Sequence, residues 1–326
     1  MELALSPSTP GLSVGELADL CRFSEELGYR QAWLAEVAGP DAFVLAAAIA
    51  QQTAHLTVGI GVVPAYTRTP AGLAVAAASV SQLLKGREFR LGIGSSSTAI
   101  VEQWHGLAFR RPLTRVRETV EAVRAALAGG DYEGATLRMR RFRSATLPAG
   151  PVSIHIGALR PAMLALAGQV ADGVCLNLMP PRVVPRQLAE VRRGAREGGR
   201  TLPPSFGVMA RLQTAVTDEP AIVREMLRNQ FFGPYLAQPV YNRFLTWMGY
   251  EEEAAAIAAG WAAKDREAVG KATHDRLIDD LALVGDAHHV RNRLEAFAEA
   301  GVTVAALMVL TPSRATVENT LRVLAP

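Results

Sequence analysis

The chain has 326 residues, 49% apolar and 20% charged, which is enough for a large core and excludes a disordered polyelectrolyte. A net charge of +3 does not by itself separate a nucleic-acid binder from a binder of small anions. The basic runs "RMRRFR" (138–143) and "VRRGARE" (191–197) lack interleaved aromatics, so no nucleic-acid partner is expected.

Two cysteines, Cys21 and Cys175, lie far apart in apolar segments, which points to a reducing compartment without disulfides. The opening "MELALSPSTPG" has neither the basic nor the long apolar part of a secretion signal, and the alanine-rich run 42–50 is too short for a membrane span. A cytoplasmic protein without a membrane partner is expected.

In chain order, strands are predicted at Leu3–Leu5, Gln31–Ala35, Leu56–Val62, Phe89–Gly94, Val152–Ile156, Gly173–Leu176, Phe206–Ala215 and Val304–Leu310. Helical patterns separate them. Leu113, Val116, Val120, Val123 and Leu127 form one apolar face, and Val290, Leu294 and Phe297 another, between Asp286 as N-cap and Gly301 as C′ residue. Alternation of strand and helix requires parallel crossovers, and eight such units predict an α/β chain, a single (β/α)8 TIM barrel over residues 1–326. A doubly wound sheet is the alternative. A hairpin is predicted near 132–148 and a helical insertion near 219–283, containing "EEEAAAIAAGWAAKDREAV".

In a parallel barrel the chemistry lies just after the strands. Strand two leads into "AEVAGPDAF", where Glu36 is the expected proton donor, raised in pKa by an apolar pocket, with Asp41 as a second carboxylate. A salt bridge or helix cap is the plainer role for Glu36. Strand three, "VGIGVV", gives up side chains at Gly59 and Gly61 and continues into "PAYTRTP", where Tyr66 and Arg68 are placed to orient a ligand. Strand four opens into "GIGSSSTAIVEQWHG"; Ser97 stands where a dinucleotide fingerprint needs its third glycine, so Ser95, Ser96 and Ser97 read as donors to a phosphate or as a solvated turn. Trp104 and His105 follow as candidates to gate a pocket. The six histidines form no helical pair with a glutamate and no thiolate cluster exists, so no metal is expected.

Five segments in order, "GYRQAWLAE", "LTVGIGVVPAYTRTP", "RLGIGSSSTAIVEQWHG", "IHIGALRPAMLALAGQVADGV" and "VGDAHHVRNRLEAFAEAGV", resemble the luciferase-like superfamily. They are most similar to its coenzyme F420-dependent oxidoreductases related to methylenetetrahydromethanopterin reductase. The resemblance implies a (β/α)8 barrel, commonly a homodimer, holding F420 or FMN at the C-terminal face. It implies a non-prolyl cis peptide at Gly61–Val62 with Val62 behind the middle ring; a plain β-bulge is the other reading of those glycines.

By the same resemblance Ser95, Ser96 and Ser97 contact the cofactor side chain, Gly157, Ala158 and Leu159 form the loop after strand five, and Asn177 is the polar residue after strand six. Arg160 replaces a glycine of the family's Gly-Ala-Leu-Gly-Pro, either to pair with a cofactor phosphate or to block the backbone approach. The Asp-His pair and glutamate of the sugar-phosphate dehydrogenases are absent: Glu36-Val37 and Ser97 stand there. The anionic F420 tail would be screened by Arg138–Arg143 and Arg192–Arg196, if these are not ordinary solvated faces. The resulting expectation is hydride transfer between the deazaflavin C5 and a small, hydrophobic organic substrate, since "FFGPYLAQPVYNRFLTWMGY" lines the insertion with aromatics. Dimer packing would use the same composition. An FMN-dependent monooxygenase and a non-catalytic flavin-binding barrel are the rival readings.

Overall fold

Strand propensity is realised wherever an apolar run is bracketed by turn residues. The computed structural model describes residues 1–311 and 313–326. It contains β1 (Glu2–Leu5), β2 (Gln31–Leu34), β3 (Thr57–Pro64), β4 (Phe89–Gly94), the hairpin β5 (Tyr132–Glu133) and β6 (Arg138–Met139), β7 (Val152–Gly157), β8 (Gly173–Asn177), β9 (Gly207–Val216), β10 (Ala282–Gly285) and β11 (Val304–Val309).

Eight of these close a parallel barrel in the order β1-β2-β3-β4-β7-β8-β9-β11, with β11 returning to β1. Both faces of each strand are covered, so β2 is buried at all four residues and the runs read as continuously apolar.

The outer ring is formed by α1 (Val14–Glu26), α2 (Ala42–Gln52), α3 (Pro70–Leu83), α4 (Pro112–Leu127), α5 (Pro161–Val170) and α6 (Val184–Glu197). Their starts are chemically marked. Ser13 and Glu16 form a capping box on α1, and Thr69 caps α3 ahead of Pro70. The insertion runs through α7 (Pro220–Met226), α8 (Gly233–Leu236), α9 (Pro239–Met248), α10 (Glu251–Ala262), α11 (Arg266–Ala272) and α12 (Asp275–Leu281). Then come α13 (Ala287–Glu299), capped by Asp286 as expected, and α14 (Arg314–Leu324). Among the described residues no helix is long and apolar enough to cross a membrane.

Two details differ from the sequence reading. The hairpin ladder ends at Met139, and residues 140–148 are irregular. The insertion ends in a strand: β10 pairs in parallel with Gln213–Val216 of β9, above the stretch of β9 that β8 covers. Its four residues "ALVG" directly follow a helix, too short a run for periodicity to separate from the helix before it.

The lower barrel interior is filled. Trp33 is fully buried, and a Cβ on Gly59 would lie 2.6 Å from its indole, which is why β3 gives up a side chain there. The Trp33 Nε1–H donates to Gln31 Oε1 at 2.8 Å, and Arg90 donates to the same oxygen and to Glu88, each at 3.0 Å. The His155 ring packs edge-on against Trp33 at 5.3 Å, over Gly173 and Gly207. Burial pushes its imidazole down to about 3, helped by the nearby Arg90 charge, so His155 is neutral at ordinary pH.

Candidate active site

Above this plug β3 bulges. Its register with β4 shifts between Ile60 and Val63, and the Gly61–Val62 peptide is cis, at the position the sequence resemblance names. Inward positions of the neighbouring strands are left empty to receive the Val62 side chain. Cβ atoms on Gly94, Gly92 and Gly157 would lie 2.4, 3.0 and 3.1 Å from its methyl groups. The "GIG" of β4 therefore makes room for a valine rather than cradling a pyrophosphate. Val62 stays partly exposed on the lumen side, above Met209, whose methyl lies 2.6 Å from where a Gly61 Cβ would be.

Glu36, at the end of β2, does not face an apolar pocket. The Arg68 guanidinium forks onto it, Nε to Oε1 at 3.1 Å and Nη2 to Oε2 at 2.8 Å, and also pairs with Asp41. Arg68 in turn lies over the Phe43 ring at 4.9 Å. The reason for expecting a proton donor at Glu36 goes with the pocket.

Asp41 is the N-cap of α2 and accepts from the amides of Phe43 and Val44 at 2.9 and 3.0 Å. Partial burial works against its charge, but the Val44 amide and Arg68 outweigh it and hold the carboxyl below its ordinary range. Glu36, Arg68 and Asp41 tie the loops after β2 and β3 together. His105 does not join them. It lies exposed at the end of a short π-helical turn, Ala99–Trp104, beside an exposed Trp104.

The serine loop turns sharply, with Ser96 at a φ of 61°, and Ser97 Oγ accepts from the Ile100 amide at 3.3 Å, so that hydroxyl starts the turn. After β7 the Ala158 amide is taken by the Cys175 carbonyl at 3.1 Å and the Leu159 carbonyl accepts from Gln187. Arg160 begins α5; burial and the nearby Arg243 charge push its guanidinium down.

In the basic runs, read as screening an anionic tail or as ordinary solvated faces, four arginines are paired locally, whereas Arg141, Arg192 and Arg196 have no carboxylate partner among the described residues. Arg138 and Arg140 pair with Glu133, Arg143 with Asp131, and Arg193 with Glu190 and Glu197. Three other arginines are also without carboxylates. Arg110, Arg111 and Arg115 line a cleft of about 490 Å³ with Tyr66, Leu107, Ala108 and Thr136, and none has a carboxylate partner among the described residues. Tyr66 is fixed there by its hydroxyl, which donates to the Arg110 carbonyl at 2.7 Å, and by its ring against Phe109 at 5.2 Å. These three were missed because they are scattered through 110–115, and only the fold of the loop onto Tyr66 gathers them.

Across the lumen from Val62, β9 presents Met209, Arg211 and Gln213, since alternate residues share a face and Met209 belongs to the inner cluster with Trp33 and Cys175. Asn177, opposite Arg211 in register, accepts from Gln213 Nε2 at 3.0 Å. The insertion closes over them with Tyr235 and Tyr241, whose hydroxyls lie 2.8 Å apart; burial, reinforced by the charge of Tyr235, pushes the Tyr241 phenol well up. Burial pushes the Arg211 guanidinium down. A lone arginine at an inward position of an apolar strand was the available signal for this cluster.

Among known proteins, the chain is 29% identical over 324 residues to a Mycobacterium tuberculosis protein named as a coenzyme F420-dependent oxidoreductase, covering 91% of each. It is 28% identical to the 5,10-methylenetetrahydromethanopterin reductase of Methanolobus tindarius, over 91% of this chain and 90% of that one. The solved structure of the coenzyme F420-dependent tetrahydromethanopterin reductase from Methanopyrus kandleri superposes with a TM-score of 0.83 at 22% identity, covering 99% of this chain and 97% of that one. The profile of the luciferase-like monooxygenases matches residues 2–304, so this closed parallel barrel with its bulge at Val62 belongs to the luciferase-like monooxygenase family.

Proposed function

We propose that the chain is an F420-dependent oxidoreductase acting on a small organic substrate. The observation that carries this reading is the cleft at Tyr66, where three arginines without carboxylate partners stand beside the barrel mouth. F420 bears a phosphodiester and an oligoglutamate tail, so it needs several cations along its length, whereas the single phosphate of FMN needs fewer. The residues fit the ring as well: Gly92, Gly94 and Gly157 leave a cradle that seats Val62, and Val62 offers an apolar surface to the lumen.

When bound, the deazaflavin supplies hydride transfer at C5. The chain's own part is to hold and exclude. Val62 would back the ring, Ser95 and Ser96 would meet its side chain, and Arg110, Arg111 and Arg115 would hold the tail. The Glu36–Arg68–Asp41 tie fixes the loops on either side of β3. Phe231, stacked on Tyr235 at 5.2 Å, and Tyr241 wall the substrate side and keep water from it.

The test is titration of the purified protein with F420 and with FMN, followed by fluorescence, for the wild type and for the double variant Arg110→Ala, Arg111→Ala. Tighter binding of F420, weakened on the order of tenfold in the variant and by added salt, is expected. Tighter binding of FMN, or indifference to both arginines, would overturn the reading.

A further inference from the structure

A charge buried without a partner is the costliest thing a barrel interior can hold. Arg211, half-buried on β9, comes close to one. Its Nε is sealed from solvent with no hydrogen-bond partner, and no carboxylate pairs with it among the described residues. The other half-buried cation of the interior, Arg90, is satisfied by Glu88 and Gln31. Arg211 also keeps part of its surface accessible, as Arg90 does, but unlike Arg90 it meets no carboxylate there.

The groups around it are donors and acceptors with capacity to spare. Gln213 Oε1 is buried and unpartnered, Asn177 is held with its carbonyl toward Gln213, and the paired hydroxyls of Tyr235 and Tyr241 lie close enough to feel the Arg211 charge. This cluster stands one inward step above Met209, about 6.6 Å further up β9, on the side of the lumen opposite Val62.

The geometry points to Arg211 as the receptor for a carboxylate on the substrate, with the tyrosine hydroxyls completing the grip. A planar carboxylate matches the guanidinium fork, and its single negative charge neutralises the single positive one; a phosphate dianion would leave a buried charge unbalanced. The substrate is thus an organic acid whose apolar body lies against Phe231 and Tyr235. Calling the occupant a substrate rests on the function proposed above, whereas the carboxylate site itself does not.

Benzoate is the probe, because it pairs a carboxylate with an aromatic body, and benzamide is its uncharged shape-mate. Melting temperatures are measured with each for the wild type and for Arg211→Met and Arg211→Gln. Saturating benzoate is expected to raise the wild-type value by on the order of 2 to 5 °C and to leave both variants unmoved, with benzamide inert throughout. Without ligand, Arg211→Met is expected to melt no lower than wild type, since an unpaired, half-buried charge with a sealed Nε has been removed.

A benzoate shift that is absent in the wild type, survives in the variants, or is matched by benzamide overturns the assignment. So does a lower melting temperature of unliganded Arg211→Met, which would mark a structural strut. F420 titration of Arg211→Met separates the two proposals: unchanged affinity supports a substrate role, and lost affinity assigns Arg211 to the cofactor and overturns it. Failure of the wild type to bind F420 would end the proposed function while the benzoate result stood unaffected.

Discussion

The two halves of the barrel interior are built from the same strands and solve opposite problems. Below the bulge, Trp33 and His155 fill the lumen, and Gln31, Arg90, Glu88 and Ser153 form a joined network with Glu2 at its edge. Above it, glycines on β4 and β7 make room for Val62, which is half-open, and Arg211 Nε and Gln213 Oε1 are sealed without partners, as only His155 Nδ1 is in the network below among the described residues. The lower half stabilises the barrel. The upper half gives up packing and hydrogen bonding, the pattern of a site whose contacts are completed by a ligand.

Substitution of glycines in the two halves should break along that line. Gly59→Ala drives a methyl group into the fixed indole of Trp33, and a stability loss of about 3 kcal/mol in urea unfolding is expected. Gly94→Ala drives one into Val62, which is half-buried where Trp33 is fully buried, so under about 1 kcal/mol is expected, with F420 affinity reduced instead. Equal stability losses at both positions would erase the distinction.

The next largest effect belongs to His155. Its folded pKa lies near 3, below the ordinary 6.5, so its contribution is complete above pH 6.5 and is lost as pH falls toward 3. Between pH 6.5 and 5 about 2 kcal/mol of stability should disappear, and His155→Gln should flatten that part of the profile whatever its absolute stability. The smallest effect concerns the loops of the upper half. Glu36→Gln weakens a half-buried ion pair, with an expected cost of about 1 kcal/mol or less and turnover within about twofold of wild type. A hundredfold loss of turnover with cofactor affinity intact would restore Glu36 as the proton donor.

Much of the frame was readable beforehand, for a simple reason. An eightfold alternation of buried strand and amphipathic helix has few ways to close, and local capping chemistry at Asp286 and Thr69 marks where helices begin. The bulge was readable only through resemblance, since two glycines in a strand say that something comes close without saying what. The charge runs stayed open between a tail-binding patch and a solvated face, because a run of like residues is read without its partners. Arg138, Arg140 and Arg143 meet Glu133 and Asp131 from the same hairpin, a pairing set by β5 and β6 and not by proximity in sequence alone. Asp41 and Glu36 follow β2 in sequence, but the side chain that sets their charge environment, Arg68, comes from another loop.

Hydrophobic period and turn chemistry act over a few residues at a time, and they suffice to lay out the barrel and its two insertions. Tertiary structure decided which charges are spent and which remain. Arg68 and Arg138 find carboxylates, Arg110, Arg111 and Arg115 converge on Tyr66, and Arg211 is carried by β9 into the lumen without one. Charge compensation depends on distances between segments far apart in the chain, and only the closed barrel sets those distances.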